Sequence, residues 1–263
     1  MKSSAKKPEI AVIGGTGLEA LFKTFEQIHV GTPYGIPLAL FLGDIEGRAV
    51  AFLSRHGMKH NIPPHVINHR ANIYALQQLG VKRIIATNAV GAVNRTFKPT
   101  DIIIPHDFID FTKSRPTTFY ENAPVMHIDL SQPYCPEIRK ILIETANRSK
   151  IKVFDHAVLI CTSGPRLETP AEVEMFRRLG GDLIGMTGAA EAVLSRELEM
   201  CYASVCFVTN MAAGMQKRLT TREVAENAEK IHPVVKKLLS ETIRTIPHNR
   251  NCPCAHALEN AGF

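Results

Sequence analysis

The stretch "CFVTNMAAG", Cys206 to Gly214, runs apolar and then stops on Thr209 and Asn210 before a set of small residues. A carboxamide carries a donor and an acceptor side by side, so Asn210 can read a ligand edge that a carboxylate would reject. Other polar residues stand at similar places. In "LSRHGMKHNIPPHVINH" the pair Arg55 and His56 closes an apolar run, and a guanidinium fork suits an oxyanion. The same segment holds His60, His65 and His69, which with His56 raise the question of a metal. Gly57 and Pro63-Pro64 break the helix that would align them, and no carboxylate or thiolate lies within the run, so a phosphate reading is preferred and no metal is expected.

Three further stretches share one design. "VIGGTGLEA" places Gly14, Gly15, Thr16 and Gly17 after an apolar run, and Gly15-x-Gly17-x-x-Ala20 loosely fits a dinucleotide fingerprint. The acidic residue expected about 20 positions on is missing, so a phosphate loop of backbone N–H groups and the Thr16 hydroxyl fits better than NAD, with a plain tight turn as the other reading. "ATNAVGAVN" and "GMTGAAEA" each end a strand pattern on polar residues, Thr87 and Asn88 before Ala89, and Thr187 after Met186. Singly, each reads as a capped strand-to-helix turn. Together with Thr16 and Arg55 they supply hydroxyls, amides and a guanidinium without a general-base dyad, which suits an anion pocket.

The elements that must position these residues alternate. "EIAVIGG", "LALFLGD", "RAVAFLS", "RIIATNAVG", "DIIIPHD", "HAVLICTSG", "DLIGMTG" and "ASVCFVTN" read as strands, several apolar on both faces as in a sheet covered by helices. "HRANIYALQQLG" reads as a helix stopped by Gly80. "TPAEVEMFRRLGG" has Thr169 as N-cap, Pro170 at the first position, Glu172 closing a capping box and Gly180-Gly181 as the stop. "AAEAVLSRELEM" and the segment from Thr221 to about Arg244 are two more helices. The fold class is α/β, and the polar signals fall at strand ends, where open α/β sheets bind ligands.

Bulk composition narrows the functional classes. With 263 residues and 45% hydrophobic content the chain can bury a full core as one domain, 1–263, with peripheral tails at 1–8 and about 246–263. The net charge of +6 comes from scattered pairs such as Lys6-Lys7 and Arg177-Arg178 rather than a basic run, so no nucleic-acid partner is expected. No run approaches a membrane span, and the opening "MKSSAKKPEIAVIGG" turns polar before a signal-peptide core is complete, so a cytoplasmic protein without a membrane partner is expected. Cys135, Cys161, Cys201 and Cys206 sit in apolar surroundings and read as core residues or, less often, disulfides. The "CPC" pair, Cys252 and Cys254, is too close for an ordinary zinc knuckle and lacks a second pair in sequence.

The set "IGGTG", "TPYG", "RHG", "NHRANIYAL", "TNAVGA", "HIDLSQPYCP", "GPRLET", "GMTGAAEAVLSREL" and "VTN" resembles the trimeric purine nucleoside phosphorylases, most closely the branch with methylthioadenosine and methylthioinosine phosphorylases. The resemblance runs from about Glu9 to about Leu239. It implies a single α/β domain with a twisted mixed β-sheet flanked by helices, and phosphorolysis of a purine nucleoside with inorganic phosphate as co-substrate and no cofactor. It also implies a homotrimer or dimer of trimers. Thr16, Arg55, His56, Asn88, Ala89 and Thr187 look like the phosphate site, with His56 and Asn210 in catalytic positions. Met186 looks like the floor under the ribose, Asn210, Met211 and Ala212 like the base-binding strand end, and Glu168 like its partner. Thr221 and Val224 look like the wall of the 5′ pocket, toward which His127 reaches from a neighbouring subunit.

Within that resemblance Asn210 and Glu168 point to 6-oxopurines. The Asn210 NH₂ donates to a 6-oxo oxygen while its carbonyl accepts from a protonated N7, and ionised Glu168 accepts the N1–H that hypoxanthine and guanine possess. The enzymes specific for methylthioadenosine are similar but carry aspartate and serine at these two positions. The expected activity is therefore cleavage of inosine, guanosine and 5′-methylthioinosine. A methylthioadenosine phosphorylase and a non-catalytic nucleotide-binding module are the rival readings.

Overall fold

The computed structural model describes residues 7–15, 17–18, 21 and 25–262. Thr16 and Ala20 lie outside the described residues. The strands are β1 (Ile10–Gly14), β2 (Phe25–Ile28), β3 (Leu40–Ile45), β4 (Arg48–Ser54), β5 (Arg83–Ala92), β6 (Ile102–Ile103), β7 (Asp107–Phe111), β8 (Val153–Phe154), β9 (Val158–Thr162), β10 (Leu183–Gly185) and β11 (Cys201–Met211). The helices are α1 (His69–Gln78), α2 (Pro136–Arg148), α3 (Pro170–Arg178), α4 (Gly188–Glu197) and α5 (Thr221–Thr245). All the strands join one mixed sheet, in the order β2-β3-β4-β1-β5-β10-β9-β7, with β11 on the other edge of β5 followed by β6 and β8.

Both faces of this sheet are covered, as the two-sided apolar strands predict. Along β1 the period-2 alternation sends Ile10 and Val12 into the cluster shared with α2 and α5, and Ala11 and Ile13 into the cluster shared with α1 and α4. Asn68 caps α1 by accepting from the Ala71 N–H. The expected capping box opens α3: Thr169 Oγ1 accepts from the Glu172 N–H, and Glu172 accepts from the Thr169 N–H at 2.7 Å.

The sequence misplaces some boundaries. "DIIIPHD" yields only the two residues of β6 before the chain turns at Pro105, which has no N–H for a ladder, and β7 begins at Asp107. Polar β2 and the whole of α2 carried no expectation, although Ile138, Leu142 and Ala146 of α2 are buried at helical spacing. The segment after α5 packs closely. Arg83, fully buried, donates to the carbonyls of His248 and Asn249, and Cys252 and Cys254 are buried.

The largest difference concerns β5, which runs on to Ala92 instead of ending near Asn88. It pairs with β11 along its whole length on one edge. On the other edge β1 covers Arg83 to Ala86 and antiparallel β10 covers only Gly91 and Ala92. Residues 87–90 therefore stand between two partners, and Ala89 is exposed within an otherwise buried strand. A ligand crevice at such a switch between strand partners is what an open α/β sheet offers. Because α3 is tied at its N-terminus by one hydroxyl, Thr169→Ala is expected to lower unfolding free energy by about 1 kcal/mol, read from urea denaturation at unchanged slope.

Candidate active site

The polar residues around the open edge of β5 are joined by hydrogen bonds. The β10–β5 register pairs Ile184 with Gly91, and continuing it past the end of β10 brings Thr187 opposite Asn88. Their side chains meet, Thr187 Oγ1 donating to Asn88 Oδ1 at 3.0 Å, while Asn88 Nδ2 donates to Ser204 Oγ of β11 at 2.8 Å. Both are nearly inaccessible. Thr187 also precedes α4 as its N-cap residue, so the first N–H groups of a ten-residue helix start beside Asn88.

Arg55 follows β4 directly, and its N–H donates to the Gly14 carbonyl at the end of β1. Its guanidinium is only 3% exposed. Nε and Nη2 form a bidentate pair with Glu191 of α4 at 2.5 and 2.9 Å, and Nη1 donates to the Thr87 carbonyl at 2.6 Å. Of five guanidinium N–H groups, three are thus engaged and two remain. Burial opposes both charges, but each partner outweighs it for the other, holding the Glu191 carboxyl below its ordinary range and Arg55 above its own. Tyr202 of β11 adds a hydrogen bond to Glu191 at 2.8 Å.

The four histidines do not form a metal-binding group among the described residues, although the His56 and His60 rings lie 4.8 Å apart. His56 Nδ1 faces the Ile62 carbonyl at 2.9 Å, and burial followed by the Arg55 charge pushes its pKa down to about 4. His65 is exposed on a short 3-10 turn. His69 lies inside α1 with neither ring nitrogen hydrogen-bonded, Nδ1 standing 3.9 Å from Glu191, and burial pushes its pKa down to about 3.

Asn210 sits next to a β-bulge. Val208 pairs with Val90 and Asn210 with Gly91, so Thr209 is the extra residue. The amide is held on both sides: Thr209 Oγ1 donates to Asn210 Oδ1 at 2.8 Å, and Nδ2 donates to the Met211 carbonyl at 2.9 Å. A carbonyl can only accept, so Nδ2 must be the atom facing Met211, and one donor and one acceptor position of the amide stay unused. Gly91 lies beneath it, and a Cβ there would stand 3.1 Å from Nδ2, so the amide would have to shift by a few tenths of an ångström.

The other expected residues line the surroundings. Met186, half-buried, packs on Gly164, and its carbonyl accepts from Arg115 at 2.7 Å. Glu168 precedes the Thr169 cap and accepts from Thr162 Oγ1 at 2.7 Å. Ala212 donates to the Ala92 carbonyl, and Gly214 rests against Pro170, so the chain after β11 touches the start of α3 near Glu168. The Met211 N–H donates to Gln216, which in turn reaches Glu223 at the start of α5, near Thr221 and Val224. His127 is exposed on the segment before α2, and its N–H donates to the Ala261 carbonyl. A surface depression of about 540 Å³ lies elsewhere, beside Lys150, Lys152 and Lys237.

Sequence reasoning missed Glu191, Tyr202, Ser204 and Arg115. Glu191 was hidden because an acidic residue in a helical pattern is expected at the surface, and α4 is buried almost all round.

These buried strand-end groups gather guanidinium, hydroxyl and amide side chains around residues 87–91 of β5, the class of groups that binds an anion. Comparison with known proteins agrees with that class. The model of the phosphorylase superfamily matches residues 9–244, and the chain belongs to this family. A relative from Methanopyrus kandleri, described as a probable S-methyl-5'-thioinosine phosphorylase, is 49% identical over 96% of this chain and 98% of its own. The 6-oxopurine nucleoside phosphorylase of Pyrococcus furiosus is 49% identical over 97% of this chain and 99% of its own. The crystal structure of a methylthioadenosine phosphorylase from an antarctic soil metagenomic library superposes with a TM-score of 0.92 at 34% identity, covering 98% of this chain and 93% of that one.

Two predictions follow from the buried charges. Glu191→Gln leaves Arg55 buried without its counter-ion and is expected to cost about 3–5 kcal/mol of unfolding free energy in urea denaturation. His69 titrates near pH 6.5 when unfolded and near pH 3 when folded, so the unfolded chain binds more protons between those values and stability falls as pH falls. From pH 6.5 down to about pH 4.5, above the Glu191 range, the loss from His69 is expected to be up to about 1.4 kcal/mol per pH unit. His69→Gln should remove that share of the slope in urea midpoints measured across this interval.

Proposed function

We propose that this protein catalyses phosphorolysis of 6-oxopurine nucleosides, including 5′-methylthioinosine, giving the free base and a sugar 1-phosphate. The observation that carries this reading is the Asn210 amide. Thr209 and Met211 each take one of its hydrogen-bonding positions and fix its orientation. What remains is one N–H and one lone pair. A 6-oxopurine leaving with a proton on N7 needs that pair: an N–H for O6 and an acceptor for N7–H. The relatives named above, a 6-oxopurine nucleoside phosphorylase among them, support the same substrate class.

Phosphate is the attacking group in this reading. The two unused N–H groups of Arg55, the Asn88 and Thr187 side chains and the backbone at exposed Ala89 hold it at the gap in β5, with His56 alongside and Thr16 assigned to the same group from the sequence. His56 is held neutral near pH 7 by burial and the Arg55 charge; its one N–H, on Nδ1, donates to the Ile62 carbonyl, so Nε2 presents a lone pair that can accept from a phosphate hydroxyl. Attack of a phosphate oxygen on the anomeric carbon breaks the glycosidic bond; the electron pair stays on the purine, N7 takes up a proton from solvent, and the Asn210 carbonyl accepts from that N7–H. Glu168, oriented by Thr162, accepts N1–H. Met186 lies under the ribose, and Thr221 and Val224 flank the 5′ group with room for a methylthio substituent. No cofactor enters these steps.

The complete site belongs to a homotrimer in the cytoplasm, with His127 supplied by the adjoining subunit. Exposed Val125, two residues from His127, supports a covered face there.

Incubation with inosine should give hypoxanthine only when phosphate is present, followed by ultraviolet absorbance, with adenosine at the same concentration turned over far more slowly. Asn210→Asp should cut inosine turnover roughly a hundredfold to a thousandfold and shift preference toward 6-aminopurines. Equal use of adenosine and methylthioadenosine by the unaltered chain would instead favour a methylthioadenosine phosphorylase, and absence of any phosphate-dependent release a binding module.

A further inference from the structure

The fold supplies the second thiol pair that "CPC" lacks in sequence. Cys135 is the residue before the first turn of α2, Cys201 opens β11, and Cys252 and Cys254 flank Pro253 in the 3-10 turn Pro253–His256. All four are buried, none is in a disulfide, and their sulfur atoms lie within 4.8 Å of one another. Among the described residues this is the one cluster of histidine, cysteine and acidic side chains placed to hold a metal ion. Zinc with four thiolates takes tetrahedral bonds of about 2.3 Å, which sets the sulfurs about 3.8 Å apart. The cluster spans that value, with Cys201 and Cys252 at 3.3 Å.

We infer that Cys135, Cys201, Cys252 and Cys254 form a structural site for a soft divalent metal, zinc foremost, which pins the C-terminal segment to the sheet. This site is separate from the crevice at β5 and takes no part in the reaction. It revises the expectation that the chain carries no metal.

The ligands are held in place before any ion arrives. Cys135 N–H donates to the Tyr202 carbonyl at 2.8 Å, and Cys201 N–H to the Lys82 carbonyl at 2.9 Å, so the first pair is fixed to the sheet. The second pair is fixed by Arg83 on the His248 and Asn249 carbonyls and by Arg250 on the Glu199 carbonyl. Charge is also provided for. Four thiolates and one divalent ion leave a double negative charge, and fully buried Arg83, which stands opposite Cys201 in the β5–β11 register, lies beside the site. The N-terminus of α2 adds its positive end at Cys135. Closed four-sulfur sites of this kind select zinc over harder cations.

The test uses the full chain without an affinity tag, purified under reductant and dialysed against chelator. Elemental analysis should find close to one zinc per chain, released as a mercurial titrates the thiols. Replacing zinc by cobalt(II) should give the intense thiolate charge-transfer and visible bands of a tetrahedral sulfur site. Cys252→Ser with Cys254→Ser should lose both signals, while inosine phosphorolysis at moderate temperature persists and the melting temperature falls. Should the double variant fail to fold, the cobalt spectrum of the unaltered chain decides. Native protein that retains no metal and reacts freely at four thiols would overturn the proposal. So would an intact mass, taken on protein purified without reductant, that is short of the four hydrogens lost to two disulfides.

Discussion

A guanidinium that is almost wholly buried stays charged only if something equally buried neutralises it, and here one carboxylate does so. Arg55 and Glu191 join the end of β4 to the interior of α4, and Thr87 and Tyr202 join that pair to β5 and β11. Four elements from distant parts of the chain thus meet on one ion pair. Desolvation makes such a pair a poor source of net stability, but removal of either member leaves an uncompensated charge, so the arrangement is all-or-none. It fixes the guanidinium against the Thr87 carbonyl of β5. The orientation of its two unused N–H groups is therefore a by-product of how the sheet and α4 neutralise each other.

The sequence carries the parts of this site that sit at ends of elements. Arg55, Thr187 and Asn210 each close or follow an apolar run, and their types alone suggest an anion and a ring edge. Asn88 was legible as a residue but not as a position, because nothing in "ATNAVGA" says that the small residues after it will be gripped by β10 and carried on as strand. Glu191 and Tyr202 were not legible. Their roles come from burial, and burial of α4 is decided by the elements on both sides of it rather than by its own pattern.

The thiol cluster makes the same point from the other direction. In sequence, Cys135 and Cys201 lie apart and look like core filler, and Cys252-Pro253-Cys254 looks like half a motif. Only the return of the chain past α5 to the start of β11 makes them neighbours. Local pattern finds metal sites whose ligands come from one hairpin or one knuckle and misses those assembled from three elements. The tail fixed there also bears on the far surface, since Ala261 accepts from the His127 N–H and Gly262 bridges to Met126.

The bulge at Thr209 limits how this strand can drift. Side chains in a strand alternate faces, so deleting or adding a single residue in β11 would turn the amide of Asn210 away from Gly91 and present its neighbour instead. Replacement of one side chain by another leaves the register intact. Changes in the side chain presented at this strand end are therefore open to point substitution and closed to any change of length between Val205 and Ala212, whereas the exposed residues 121–125 lie outside any strand and are under no such constraint of register.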